Sequence, residues 1–457
     1  MPAPLYDFLI EKAKKKGLRF HMPGHKGKSF LGVSPELIDF TELSDTGNLY
    51  SCADDPIRAA ETLAAKDYGA ESCLFCTGGS TLGIQSVLGA LAVKKCEPLK
   101  ILAARDAHMA FFNALALVGA EADFINCEYN ATFDITCGIS PELVENALKA
   151  QNYDAFYCTS PNYYGALCDI EKIAEVCRRR GVPLIVDAAH GAHLAFLDKK
   201  LSPAFLGADF TVISAHKTLP ALGQAALVLA KAEKAADIRR AMRIFGTSSP
   251  SYAVMASTDL ALSEMRVGKI HETATKTYEF IQYTNKCTAF CALTSEDLPY
   301  GTDPCRLTVL AASAGISGYD LSARLEAEYG IEAEMADDRN VVFIFTISDG
   351  EREFSALKSA LFEISAKLEK TEVAAGEGLP SLPKRKLSPR EALFRESELV
   401  PLGKAEDRIV AEILAPYPPG IPVVAPGEKI SRSHISFLVK KRYNADEKIV
   451  VIKALDS

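Results

Sequence analysis

From Ser72 to Ala230 the chain alternates short apolar runs with amphipathic stretches. The runs Ser72–Cys76, Lys100–Ala104, Glu121–Ile125, Asp154–Thr159, Val182–Val186, Phe210–Ile213 and Ala225–Ala230 are bounded by turn residues and predict buried strands. Apolar residues at helical spacing predict helices over Thr81–Val93, Pro141–Gln151, Asp169–Arg180 and Lys231–Arg243. This alternation implies an α/β fold: a mainly parallel sheet with helices on both faces. Upstream, Pro4–Lys16 reads as a short amphipathic helix. A second helix starts at Asp55-Pro56, buries a stripe of Ile57, Ala60, Ala64 and Tyr68, and stops at Gly69. Downstream comes a helix over Ser251–Met265. Strands near Arg306–Ala311 and Val341–Thr346, with helices near Leu321–Tyr329 and Glu351–Glu369, then predict a smaller α+β unit. Thr371–Lys386, rich in Gly, Pro and charge, reads as a linker. Ser388 and Glu391 form a capping box that opens another helix, and Lys448–Lys453 reads as a last strand. The pattern divides the chain into residues 1–268, 269–370, a linker at 371–387, and 388–457.

Sheets of this kind bind ligands at the carboxyl ends of their strands. Gly79, His108, Thr159, Asp187 and Lys217 all fall at such ends. Lys217 follows the run Phe210–Ile213, and Thr218-Leu219-Pro220 stops that run at once. An ammonium is costly to hold on so apolar a background, which turns the lysine into an amine nucleophile. A lysine at one strand end and an acid, Asp187, at another form the layout that holds pyridoxal phosphate (PLP). The lysine makes the Schiff base and the acid pairs with the pyridinium nitrogen. Thr77-Gly78-Gly79-Ser80-Thr81, between a strand and a helix, reads as an anion cradle. It has neither the G-x-G-x-x-G spacing of a dinucleotide site nor the Gly-Lys-Ser/Thr of a P-loop. Singly, these features have plainer readings: a solvated lysine, a capping acid, a helix start without a ligand. Their coincidence at strand ends is what points to a cofactor.

Two further stretches are open to either reading. Pro23-Gly24 forces a turn crowded by His21, His25, Lys26 and Lys28, either a solvated basic loop or one folded over an anionic or cofactor-bearing site. No carboxylate pattern beside the two histidines supports a metal. The hydroxyls of Thr247, Ser248, Ser249 and Ser251 could reach a phosphate or cap the next helix.

Composition narrows the classes. Hydrophobic residues make up 48% of 457, as in an ordinary globular protein of two or three domains. No apolar run approaches a membrane span, and Met1–Leu5 lacks a signal-peptide pattern, so a cytoplasmic location is expected. A net charge of −8 argues against general nucleic-acid binding. The twelve cysteines are scattered, mostly in apolar contexts, and read as reduced core thiols. Cys73 and Cys76 have CxxC spacing, but residues three apart on a strand face opposite ways, so no metal or redox pair is expected there.

Several blocks together resemble the PLP-dependent Orn/Lys/Arg decarboxylases, a group with the aspartate-aminotransferase fold (fold type I). They are His21 to Gly27, Ser214-Ala215-His216-Lys217 with Gln224, Thr247 to Tyr252, and Pro416 to Pro422 with Pro426-Gly427-Glu428. The resemblance covers essentially the whole chain and matches the shorter form, without a receiver-like N-terminal domain. It implies decarboxylation of a basic L-amino acid, arginine first and then lysine or ornithine, feeding polyamine synthesis. Carried over, Lys217 would hold the cofactor aldehyde, Asp187 the pyridinium nitrogen, and His108 would stack on the ring. Gly79, Ser80, Thr81 and Ser214 would hold the phosphate, with His216 over it and His190 beside the cofactor. The site would lie at a homodimer interface, where Thr247 and Ser248 reach a neighbour's phosphate. His25 and Glu428 would meet the substrate, Glu428 through its distal cation. Lys217 or His216 would return the proton to Cα. Two departures bear on the substrate side: Met109-Ala110 follow His108 where the family often has polar residues, and Asn48-Leu49-Tyr50 stands where it usually has Asp-Leu-His. An aminotransferase or aldolase-type enzyme on the same fold, or a non-catalytic regulator, are the alternatives.

Overall fold

A computed structural model of the chain describes residues 3–15, 17–43, 45–51, 54–93, 95–416 and 420–453. The end of the expected first helix at Lys16, and Tyr417, Pro418 and Pro419 of the proline-rich block, lie outside the described residues. The seven predicted strands form one sheet: β1 (Ser72–Cys76), β2 (Lys100–Ala104), β3 (Glu121–Ile125), β4 (Ala155–Thr159), β5 (Leu184–Asp187), β6 (Phe210–Ile213) and β7 (Ala226–Ala230). Their spatial order is β1-β7-β6-β5-β4-β2-β3. β2 to β6 run parallel, as expected, whereas β7 is antiparallel to both β1 and β6.

Strand pleating sorts the apolar runs onto two faces. Leu102, Phe156, Leu184, Val186, Ile213 and Leu227 join one core cluster, and Ile101, Ala103, Tyr157, Ile185, Val212 and Val228 join the other. Both faces are buried, which is why these strands read as unbroken hydrophobic stretches. Cys73 and Cys76 fall in opposite clusters and are free thiols. Helices Gly79–Ala92, Met109–Val118 and Ala232–Phe245 cover one face. Pro56–Tyr68, Pro141–Ala150, Ile170–Arg180 and Tyr252–Met265 cover the other.

Helix Ile270–Cys287 escapes a reading from apolar spacing. Its buried stripe includes Thr273, Thr277 and Thr284, whose hydroxyls are satisfied internally; Thr277 and Thr284 donate back to the carbonyls of Thr273 and Phe280. It packs on a second sheet of four antiparallel strands, in the order β8 (Cys291–Ala292), β9 (Arg306–Leu310), β11 (Asn340–Ile344), β10 (Met335–Ala336). A third core, built on Leu402, Val410, Leu414, Val424, Leu438 and Val451, underlies the pairing of Ser397–Pro401 with Lys448–Ile452. The expected linker runs between these units along the protein. The Gly376 amide donates to Ala131 O, and Lys384–Arg385 pairs with Glu428–Lys429.

The basic N-terminal loop fastens the first two units together. Leu18–Phe20 adds a parallel strand to Ile331–Ala333, and His21 bonds Glu332 at 2.9 Å. The Gly24 amide donates to His216 O at 2.7 Å, while Gly24 O accepts from Thr346 Oγ1. A Cβ on Gly24 would sit 2.3 Å from the Leu219 carbonyl oxygen, so only glycine allows this approach. Lys26 is buried and donates to the carbonyls of His21 and Ile344.

Candidate functional site

A cleft opens at the carboxyl ends of the central strands. Asp187 is the last residue of β5, Thr159 of β4; Asp106 and His108 follow β2, and Ser80 and Lys217 follow β1 and β6. Sequence order scatters these residues over more than a hundred positions, and the parallel sheet collects them. Lys217 sits in a one-turn helix, Ala215–Thr218, and not in an open turn. Its Nζ lies 3.0 Å from His190 Nε2. Asp187 is buried. Its Oδ2 accepts from Tyr157 Oη at 2.9 Å and its Oδ1 from the Ala189 amide at 3.0 Å. Those two uncharged donors aim the carboxylate.

The stretch expected to cradle an anion joins β1 to helix Gly79–Ala92. Gly79 adopts a φ of +70°, in the left-handed region that favours glycine, and its amide is engaged by Gln224 O. The amides of Ser80 and Thr81 belong to the first turn of helix Gly79–Ala92, where no intrahelical acceptor exists. Ser214 Oγ donates to Ser80 Oγ at 2.8 Å. The Ser80 and Ser214 hydroxyls thus meet at the start of a helix, the end that carries partial positive charge.

Burial sets the charges. Desolvation, with help from the Arg306 guanidinium, pushes the Lys217 amine below its usual range, against the pull of Asp187 and Glu334. Burial and the charge of Lys217 lower His108, although Asp187 opposes them. Burial also lowers His216, whose Nδ1 donates to Ala225 O at 2.9 Å, leaving Nε2 as an acceptor. His190 is held well below its usual range by burial and by the charges of Lys217 and Arg306.

Other expected residues lie elsewhere in this chain. Thr247 and Ser248 are exposed and do not line the cleft; Thr247 O accepts from Tyr50 Oη at 2.6 Å. Thr81 faces outward. His25 stacks on Phe30, and its Nδ1 accepts from the Gly27 amide. Glu428 is buried in a two-point ion pair with Arg105.

Three residues escape the sequence reading. Asp106 lines the cleft, buried, and neither oxygen has a well-aligned hydrogen-bond donor; burial raises its carboxyl to about 6. The signal was available, since Asp106 follows β2 just before His108. Tyr163 lines the cleft edge-on to His190 and donates to Glu334 Oε1 at 2.6 Å. Arg306, from the small unit, reaches His190 Nδ1 at 3.3 Å. Gly420 and Ile421, from the third unit, close the remaining side.

Two other features draw attention and lack this chemistry. A larger cavity of about 440 Å³ adjoins the cleft at Ile421, and its rim carries the ion pairs of Asp134 with Lys441 and of Asp338 with Lys441 and Arg442. Buried His193, Asp303 and Cys305 cluster at metal-ligand distances, and there His193 Nε2 already bonds Asp303 at 2.8 Å.

The donor set of the main cleft suits a phosphorylated pyridine aldehyde. It offers an anion cradle, an amine of lowered basicity, and a buried carboxylate in one space. Comparisons with known proteins agree. The family "Orn/Lys/Arg decarboxylase, major domain" matches residues 3–353, and its C-terminal domain matches residues 375–446. An arginine decarboxylase of Bacillus subtilis is 30% identical, covering 96% of this chain and 93% of its own. One from Halalkalibacterium halodurans is 31% identical, covering 95% and 92%. Among solved structures, lysine decarboxylase A from Pseudomonas aeruginosa superposes with a TM-score of 0.75 at 19% identity, covering 98% of this chain and 80% of its own. The constitutive lysine decarboxylase of E. coli does so with a TM-score of 0.74, also at 19% identity, over 99% and 82%. With both parts of the family matched in order along one chain, and the lysine, acid and cradle gathered in one cleft, the protein belongs to the Orn/Lys/Arg decarboxylases.

Proposed function

We propose that this enzyme removes the α-carboxylate of arginine as carbon dioxide, with PLP held between Lys217 and Asp187. The observation that carries this is the Lys217 amine, half-buried and of lowered basicity, sharing a cleft with the Asp187 carboxylate. Arginine is preferred to lysine and ornithine because the relatives of 30% and 31% identity are arginine decarboxylases. When bound, PLP supplies an aldehyde that takes up amines and a ring that accepts the electron pair of a breaking Cα–carboxylate bond.

The chain's own groups do the rest. Lys217 Nζ would hold the aldehyde end of the group. Asp187, aimed by Tyr157 and the Ala189 amide, would face the ring nitrogen. Ser80, Ser214 and the first-turn amides of Ser80 and Thr81 would hold the phosphate. His108 would cover one ring face, and the residues lining the cleft would keep water from it. Once the carboxylate has left, Lys217 Nζ or His216 Nε2 returns a proton to the substrate carbon.

The same proposal includes a homodimer. Helix Pro4–Lys14 buries none of its residues in the chain, although Leu5, Tyr6, Phe8 and Leu9 lie along it. Such a face calls for a cover, and a second copy supplies it. Thr247 and Ser248, exposed here, would then reach the partner's phosphate. Mixing Lys217→Ala and Thr247→Ala chains tests this: hybrid dimers should recover activity that neither parent has, and no recovery would remove Thr247 from the site.

The chemistry is tested by supplying purified protein and PLP with arginine, lysine and ornithine in turn, then identifying the amine, carbon dioxide and any keto acid. Agmatine and carbon dioxide from arginine are expected. A keto acid without carbon dioxide would make it an aminotransferase, and no product from any of the three would overturn the reading.

A further inference from the structure

A line of buried polar groups leads away from Lys217 into the small unit. Lys217 Nζ is 3.0 Å from His190 Nε2, and His190 Nδ1 is 3.3 Å from Arg306 Nη2. Arg306 is 3.5 Å from Asp303 Oδ2, and Asp303 Oδ1 accepts from the Cys305 amide and contacts His193 Nε2 at 2.8 Å. His190, Arg306, Asp303 and His193 are all buried. A guanidinium can only donate. The His190 nitrogen facing it must therefore carry the lone pair, and a neutral ring then has its proton on Nε2. That N–H points at Lys217. The contact is a hydrogen bond only if Nζ presents a lone pair, which means an unprotonated amine. An ammonium at Nζ would meet an N–H head on.

We infer that Arg306, anchored by Asp303, is a positioning residue that holds His190 in its Nε2–H tautomer and so keeps Lys217 as an unprotonated amine, the form that attaches to the cofactor. The inference rests on Lys217 being the cofactor's attachment point. Arg306 opens β9 of the small unit, whereas Lys217 and His190 belong to the large one. Docking of the two units therefore sets the state of the lysine. The surrounding charges are set against each other. Asp187 and Glu334 favour an ammonium at Lys217, and Arg306 opposes it. Around His190, the charges of Lys217, Arg306, His108 and His216 all disfavour an imidazolium. Without Arg306 the two acids prevail at Lys217, and His190 is free to turn its lone pair toward the ammonium.

Nitrogen-15 NMR of histidine-labelled protein, stripped of cofactor and assigned through His190→Asn, reads the tautomer directly. The wild type should show a bare Nδ1 and a protonated Nε2 at position 190. Arg306→Met should move the proton to Nδ1 or mix the two forms, and Arg306→Lys, which keeps a cationic donor, should restore the original pattern. In parallel, the visible absorbance gained when PLP attaches to Lys217 is followed against pH. Arg306→Met should shift its midpoint up by about one unit, roughly a tenfold slower capture at pH 7. If that variant does not fold, Asp303→Asn, which loosens the anchor, should give a smaller shift of the same sign. A wild-type Nδ1–H tautomer, or variants with unmoved tautomer and midpoint, would overturn the inference. If no form of the protein gains absorbance, it is the cofactor reading that fails.

Discussion

Arg105 and Glu428, 323 residues apart in sequence, form a buried two-point ion pair with N–O distances of 2.7 and 2.8 Å. Arg105 ends the approach from β2 to the cleft, and Glu428 belongs to the third unit. The Ala425 amide donates to the same carboxylate, and Arg105 also donates to Val423 O. The guanidinium lies over the Phe112 and Phe124 rings. The pair therefore fastens the third unit, with Gly420 and Ile421, against the mouth of the cleft.

Arg105→Ala leaves a carboxylate buried without its cation and should destabilise the protein by about 3–5 kcal/mol. Glu428→Ala should cost about the same, and the double variant much less than the sum. Denaturant unfolding of all three checks it. If Glu428→Ala kept full stability and only raised KM for arginine, Glu428 would be a substrate contact and not a fastener.

Lys217→Ala removes the nucleophile. Purified with excess PLP, the variant should stay without the visible absorbance of the attached cofactor and should not turn over. Full turnover by this variant would end the assignment.

Tyr157→Phe deletes one of the two hydrogen bonds that aim Asp187. It should weaken PLP binding by about fivefold, the equivalent of about 1 kcal/mol. Asp187→Asn, which loses the charge itself, should lower turnover on the order of a hundredfold. Equal effects from the two variants would mean that charge at position 187 is unimportant.

Asp106 gives a pH signature. Its carboxyl is raised to about 6 in the folded chain, largely by burial, so the folded state holds its proton where the unfolded state has lost it. Stability from this group is present below the unfolded carboxylate pKa and is lost as pH rises toward 6. Asp106→Asn should therefore match the wild type near pH 4 and exceed it by about 1–3 kcal/mol above pH 6. Unfolding curves at both ends of that window test it, and a gap that narrows with rising pH would refute it.

Much of the site was legible because its parts are local. A strand is a run of apolar residues, and in a parallel sheet the chemistry sits one or two residues past the end of each run. Asp187, His108 and Lys217 could be picked out that way, as could the cradle, whose Gly79 and Ser80 announce the turn into a helix. Helix Ile270–Cys287 was not legible, because threonines on its buried stripe look like surface residues until their hydroxyls are seen bonding back into the helix.

The sequence alone determined which segments become strands and which polar groups stand at their ends, because both follow from neighbours a few residues away. Only the tertiary structure decided which of those groups meet. Arg306 reaches His190 across 116 positions and Glu428 reaches Arg105 across 323. Such partners are chosen by how the three cores pack, and no local pattern of residues encodes that distance.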